Sequence, residues 1–270
     1  MTTRAAVGTL IAALAILPAS CGSDGDATTT TGAAVETPGA ELPQGDEPVA
    51  LDPADFTTEI DNPYWPMVPG TRWTYREVQD DGTELEVVVV VTTLTKEIAN
   101  GVTARVVRDT VTEDGEIVED TFDWYAQDAS GNIWYLGEET AEFEGGEIVS
   151  TGGSFEAGVD GALPGIILPA DPQPGMRYRQ EYYEGEAEDN GEVLSVHEMA
   201  DVPYGHFTDM LLSKDTITIE PDVLEYKLYA PGVGPVLILG VSGGGGREEL
   251  VSVDQADETA GTGPLGQPNP

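Results

Sequence analysis

Short turn signals recur between β-rich runs along most of the chain, and their spacing limits the fold more than any other feature. Asp81-Gly82, Asn100-Gly101, Asp114-Gly115, Ser130-Gly131, Asn190-Gly191, Tyr204-Gly205, Pro221-Asp222 and the glycines at 243–246 fall between runs at about 71–79, 84–97, 102–113, 116–127, 132–139, 176–188, 192–202, 206–219, 223–230, 234–241 and 247–253. Asn-Gly and Asp-Gly supply the positive φ angles that tight hairpins require. Connections this short make consecutive strands antiparallel neighbours. No run repeats its apolar residues at helical spacing. The expected fold is all-β: an antiparallel up-and-down meander of about ten strands, closed or partly closed into a barrel so that few edges stay exposed.

The hairpin richest in apolar area is TFDWYAQDASGNIWYLGEE at 121–139. Asp128 opens a type I turn and Gly131 closes it with a bulge. Pairing Asp128 with Asn132 sets Ala126 opposite Trp134, Trp124 opposite Leu136 and Phe122 opposite Glu138, with Tyr125 and Tyr135 meeting on the other face. Each large ring buried there contributes roughly 1.5–3 kcal/mol. Two-residue closure at Asp114-Gly115 sets Val111 opposite Val118, Val107 opposite Phe122 and Arg105 opposite Trp124. The same register places Asp109 against Asp120, an unfavourable pair of like charges.

Two segments interrupt the meander. Residues 56–70 hold too many prolines for a helix or a central strand and are expected to form an extended strap with Trp65 inserted in the core. Residues 151–175 form a long loop, unusually apolar from Ala162 to Pro169. Such a loop either caps one end of a barrel or contacts a ligand or partner. Ile166, Ile167 and Leu168 cannot all point inward along an extended chain, because side chains alternate, so they are the candidate contact residues.

The ends of the chain read differently. Arg4, an apolar run from Ala5 to Leu17 and the small residues before Cys21 form a signal segment over 1–20, too short for an ordinary membrane span. The junction LPASC resembles a bacterial lipoprotein signal, which implies a lipid on Cys21 and anchorage to the outer face of the cytoplasmic membrane. An ordinary signal peptide cleaved near Ala19 would instead release the protein. Residues 21–55 offer little to bury and read as a disordered acidic, Thr-rich tether, 56–255 as a single β domain, and 256–270 as a disordered tail. The only cysteine is Cys21, so the domain has no internal disulfide and must stand on its core.

Fifty acidic residues against eleven basic ones give a net charge of −39. That balance excludes nucleic acid as a partner, since phosphate binding rests on Lys and Arg. With so few cations, most of the carboxylates are expected to be unpaired and solvated.

Three strings, NPYWPMVPGTRWTY at 62–75, YAQDASGNIWYLGEE at 125–139 and YAPGVG at 229–234, resemble an uncharacterised family of secreted or lipid-anchored bacterial β proteins. PGTRWTY and YAPGVGPV are also similar to envelope lipoproteins of the TapB-like group. The resemblance spans about 56–253 and implies fold and compartment, with no catalytic residues to carry over.

Motifs for chemistry are sparse. His197 and His206 are the only histidines, too few for a zinc site without several carboxylates. Ser195 and His197 share a strand face, but no third triad member or nucleophile elbow accompanies them. The glycines at 243–246 lack the Lys-Ser/Thr of a P-loop. Oxygen ligands for calcium are conceivable at Asp128 with Asn132, or at Glu156 with Asp160, although a turn explains Asp128 unaided. No catalytic residue, metal site or cofactor is assigned. The sequence thus leads to an envelope lipoprotein whose β domain binds an apolar small molecule or an envelope protein. A carboxylate-based envelope hydrolase and a purely structural surface protein are the alternatives.

Overall fold

The computed structural model describes residues 42–243 and 245–268, so the signal segment, Cys21 and the first part of the tether lie outside it. Among the described residues the chain forms one antiparallel sheet of sixteen strands. In chain order they are β1 (Phe56–Thr57), β2 (Thr71–Gln79), β3 (Glu84–Glu97), β4 (Thr103–Glu113), β5 (Glu116–Asp128), β6 (Ile133–Glu144), β7 (Glu147–Ser150) and β8 (Phe155–Glu156). There follow β9 (Leu163–Leu168), β10 (Arg177–Arg179), β11 (Glu181–Tyr182), β12 (Asp189–Val202), β13 (Gly205–Ile217), β14 (Leu224–Ala230), β15 (Gly234–Ser242) and β16 (Gly246–Gln255).

Two five-strand meanders, β2 to β6 and β12 to β16, make up the wall. They join directly where β16 pairs with β2 along Gly246–Gln255. On the opposite side β6 pairs with β9 and β9 with β11, while β10 pairs with β12. β10 and β11 are one stretch of chain separated only by Gln180, so residues 177–182 form the seam of a nearly closed barrel.

The expected class is correct and the strand count is low, for physical reasons that sit at this seam. Pro164-Gly165, within the segment expected as a loop, lies inside β9. A Cβ on Gly165 would stand 2.2 Å from the Gln180 carbonyl oxygen, so the glycine is there to let two backbones approach. Asn190-Gly191, expected as a turn, lies within β12, where a Cβ at Gly191 would meet the Tyr178 ring at 2.4 Å. The run at 176–188 is only two short strands, separated by Gln180 and followed by a turn at 184–186.

Register follows the turns until a bulge intervenes. Asp128, Asn132, Ala126, Trp134, Tyr125 and Tyr135 pair as expected, with Gly131 at φ +95°. An extra residue at Leu136-Gly137 then shifts Phe122 to Glu139 and leaves Glu138 opposite Asp123. In the Asp114 hairpin, Glu113 pairs with Glu116 and Thr112 with Ile117, after which a bulge at Val118 slips the register by one. Arg108 therefore faces Phe122, Thr110 faces Asp120, and Asp109 and Asp120 are not cross-strand partners. Arg108 instead forms a fully buried ion pair with Asp120, its Nε donating to Oδ1 at 2.9 Å.

Both ends of the described chain are packed, in contrast to the free tether and tail read from composition. Arg179 donates to the carbonyls of Gly45 (2.7 Å) and Glu47 (2.9 Å), and its amide to Pro43 O, so residues 43–47 lie across the seam. At the other end Arg108 donates to Gln267 O at 2.8 Å, and Gly266 N donates to Asp120 Oδ2 at 2.7 Å. The 256–268 segment is thus held by an ion pair inside its own cover.

Candidate ligand cavity

The strap at 56–70 lies as expected. Trp65 is buried, with its ring 5.5 Å from Tyr125 and 5.9 Å from Tyr229. Gly234 sits against it, where a Cβ would come within 2.7 Å of Trp65 Cδ1. The three strings singled out in the sequence therefore meet at one tryptophan. Asn62 fastens the strap, donating to Gly131 O and Pro169 O, while Gln127 Oε1 accepts from its amide.

Beside Trp65 the barrel interior opens into a cavity of about 200 Å³. Period-two alternation brings its lining inward. β6 contributes Glu138, Thr140 and Glu142, β14 contributes Glu225, Lys227 and Tyr229, and β5 contributes Glu119, Asp123 and Tyr125. Asp109, Glu181, Asp189, Asp215 and Glu248 complete a wall of ten carboxyl groups with Lys227 as its sole cation. Val89, Val107, Ile167, Ile238 and the rings of Tyr75, Tyr125, Tyr135 and Tyr229 supply apolar surface between them.

Lys227 serves part of this wall. Its Nζ lies 3.0 Å from Asp215 Oδ2 and 3.6 Å from Glu225 Oε2. Burial opposes its charge, but these two carboxylates more than offset that and hold its pKa well above the usual lysine value. Glu138 Oε1, Glu181 Oε2 and Asp109 Oδ1 are buried with no hydrogen-bond donor.

Proton count follows from geometry at Tyr135. Its hydroxyl stands 2.8 Å from Asp123 Oδ1 and 2.6 Å from Glu138 Oε2. One hydroxyl brings one proton, so both contacts are hydrogen bonds only when one of the two carboxyls is itself protonated. Burial pushes Asp123 up to about 6, against the pull of the Tyr135 hydrogen bond. Burial and then the nearby Asp123 charge drive Glu138 well above the ordinary carboxyl range. The same cause, desolvation reinforced by neighbouring acids, raises Asp109, Glu181 and Glu248. Glu77, paired across strands with Glu248, is raised to about 7 by burial and then by Glu225. Asp189 is raised to about 8 by burial, with Lys227 opposing.

Of the residues expected at a contact site, Ile167 lines the cavity, whereas Ile166 and Leu168 are fully buried. None is exposed, because they form strand β9 of the wall and not a loop. Asp128 accepts four hydrogen bonds inside its own hairpin, from Ser130 N, Asn132 N, Asn132 Nδ2 and Trp134 Nε1. Asn132 Oδ1 accepts from Ala170 N. Glu156 pairs with Lys96 at 3.0 Å. His206 contacts Asp201 on an exposed hairpin, and Ser195 accepts from the His197 amide. Nothing in the composition singled out the interior acids, since each inward Glu or Asp alternates with residues that any exposed strand would carry. The signal that could have found them is spacing, as in Glu138-Thr140-Glu142 and Glu225-Lys227-Tyr229.

The fold and site define a nearly closed all-β barrel with a carboxyl-lined, aromatic-flanked interior. No family model and no curated protein matches the chain. Two solved structures have a related outline. One is provisionally named an exported protein with YmcC-like fold from Bacteroides fragilis, at 16% identity and TM-score 0.42, covering 71% of this chain and 99% of that one. The other is provisionally named a lipoprotein from Parabacteroides distasonis, at 11% identity and TM-score 0.39, covering 71% and 98%.

Proposed function

We propose that this protein is a non-enzymatic binding module of the cell envelope that takes a small molecule into its barrel interior. The observation that carries the reading is the cavity beside Trp65. A protein with a purely structural role gains nothing from an unfilled interior lined by buried acids, because each costs desolvation energy. Binding sites are concave, mixed in polarity and served by a few convergent polar groups. The interior is more polar than the apolar ligand expected from the 162–169 segment would need, so the ligand must offer polar groups as well as an apolar body. Lipidation at Cys21, supported by the LPASC junction, would hold the domain at the membrane through its lipid alone.

Two experiments test this reading. Native mass spectrometry of the protein purified from its own envelope should show a bound small molecule that Trp65→Ala loses; an empty wild-type barrel under gentle extraction counts against it. Cys21→Ser should move the protein from the membrane fraction to the medium, and retention in the membrane would refute the anchor. The Asp123–Tyr135–Glu138 cluster also favours a second reading, a carboxylate-based hydrolase, because neighbouring acids with separated pKa values suit acid–base work. Turnover of envelope glycans or esters abolished by Glu138→Gln would establish that reading instead.

A further inference from the structure

We infer that the ligand of this cavity is a small organic cation, a protonated amine carried on a compact apolar body. The inference rests on the binding reading above and names its chemistry. The first support is an acceptor surplus: unpaired oxygens of Asp109, Glu138 and Glu181 outnumber the two unpaired donors on the lining, Trp65 Nε1 and Gln180 Nε2. Glu138 and Glu181 are 7% and 4% exposed, both line the cavity, and each presents an oxygen with no donor in the protein. Buried acceptors without donors are costly, and a guest relieves that cost only by bringing N–H or O–H groups. Lys227, the one lining cation, is already engaged by Asp215 and Glu225.

Charge and shape narrow the class further. An anion would find only Lys227, already engaged by Asp215 and Glu225, and a wholly apolar guest would deepen the desolvation of the acids without pairing them. Among the described residues no cluster of three or more His, Cys, Asp or Glu is arranged to hold a metal ion. An organic cation needs no such convergence, because its charge is spread over several N–H groups and adjoining carbons. The same wall carries the rings of Tyr75, Tyr125, Tyr135 and Tyr229 beside Trp65. Aromatic faces attract cations, most strongly where water is excluded. The cavity of about 200 Å³ holds on the order of seven waters at roughly 30 Å³ each, which suits a small amine and excludes a lipid chain with its headgroup.

The test uses the full chain and three probes sharing one apolar body: phenethylammonium, 2-phenylethanol and 3-phenylpropionate, with calcium chloride as an inorganic control. Calorimetry at pH 8 should show binding of phenethylammonium at least tenfold tighter than of the alcohol, and none of the carboxylate or calcium. Glu138→Gln and Glu181→Gln should each weaken the ammonium at least tenfold while leaving the melting temperature unchanged or higher, since each amide mimics the protonated acid. If the alcohol binds as tightly as the ammonium, the interior is a ligand site but not a cation site, and only this inference falls. Binding of calcium alone, or of no probe, also overturns it, and the native mass spectrum then decides separately whether the cavity holds a ligand.

Discussion

At the scale of single residues, the molecule keeps its few basic groups where they matter most. Arg108 and Asp120 are 1% and 0% exposed at their side chains, and together they pin the C-terminal segment over β4 and β5. Removing one member of such a pair strands a buried charge, which typically costs about 3–5 kcal/mol. Asp120→Ala should therefore destabilise the domain by that amount in urea titration, and a loss below about 1 kcal/mol would mean that water reaches Arg108. Arg179 makes the complementary choice. It is fully buried but pairs with carbonyls of Pro164, Gly45 and Glu47 rather than with a carboxylate. Its charge is thereby spent on closing the barrel, and Lys227 is left as the cavity's only cation.

At the scale of elements, the closure at residues 177–182 is the least regular part and the most sensitive to a single side chain. Gly165→Val should push β9 away from Gln180, destabilising the domain by roughly 1–3 kcal/mol or more as overpacking does. Hydrogen exchange should then quicken at Tyr182 and Leu163, which pair across the seam. Unchanged protection there would show that β11 does not close the wall. How much of this was legible in the sequence follows the same division. Strands β2 and β3 were readable to the residue, because Pro69-Gly70 and Asp81-Gly82 mark their ends and nothing tertiary overrides them. The Tyr125–Tyr135 pairing was readable from the Asp128 turn. The slips at Val118 and Gly137 were not, because a bulge leaves no residue-level mark beyond one glycine. β9 was missed because Pro164-Gly165 lies within a segment that reads as a loop when the approach of Gln180 is unseen. The candidate site was missed for a related reason: in a chain of fifty acids, only the closing of the wall decides which ten face inward.

At the scale of the whole molecule, the barrel sets acids against acids around its interior. Asp123, Glu77 and Asp189 hold pKa values of about 6, 7 and 8 in the folded chain, all above their unfolded values near 4. The folded state therefore binds more protons than the unfolded state between those limits. Stability contributed by the neutral forms is complete below about pH 4 and is lost as pH rises through the folded values. The net charge of −39 acts in the same direction, since self-repulsion grows with ionisation. The ligand-free domain should melt at a lower temperature at pH 8.5 than at pH 5.5, contrary to the usual loss of stability in acid. A rising melting temperature over that range would mean that the interior acids are paired by something other than Lys227.

The central claim, that the interior carboxyl groups are desolvated and hold protons near neutrality, is tested most directly by a carbon-13 NMR titration of the Asp and Glu side chains in the ligand-free protein. Glu138→Gln and Asp123→Asn supply the assignments. The expected result is a set of carboxyl resonances displaced above the ordinary carboxyl range, with Asp123 at about 6, Glu138 raised by burial and the Asp123 charge, and one proton shared across Tyr135. If every carboxyl group titrates between about pH 3 and 5, the interior is open water, and the acidic cavity described above is no more than surface.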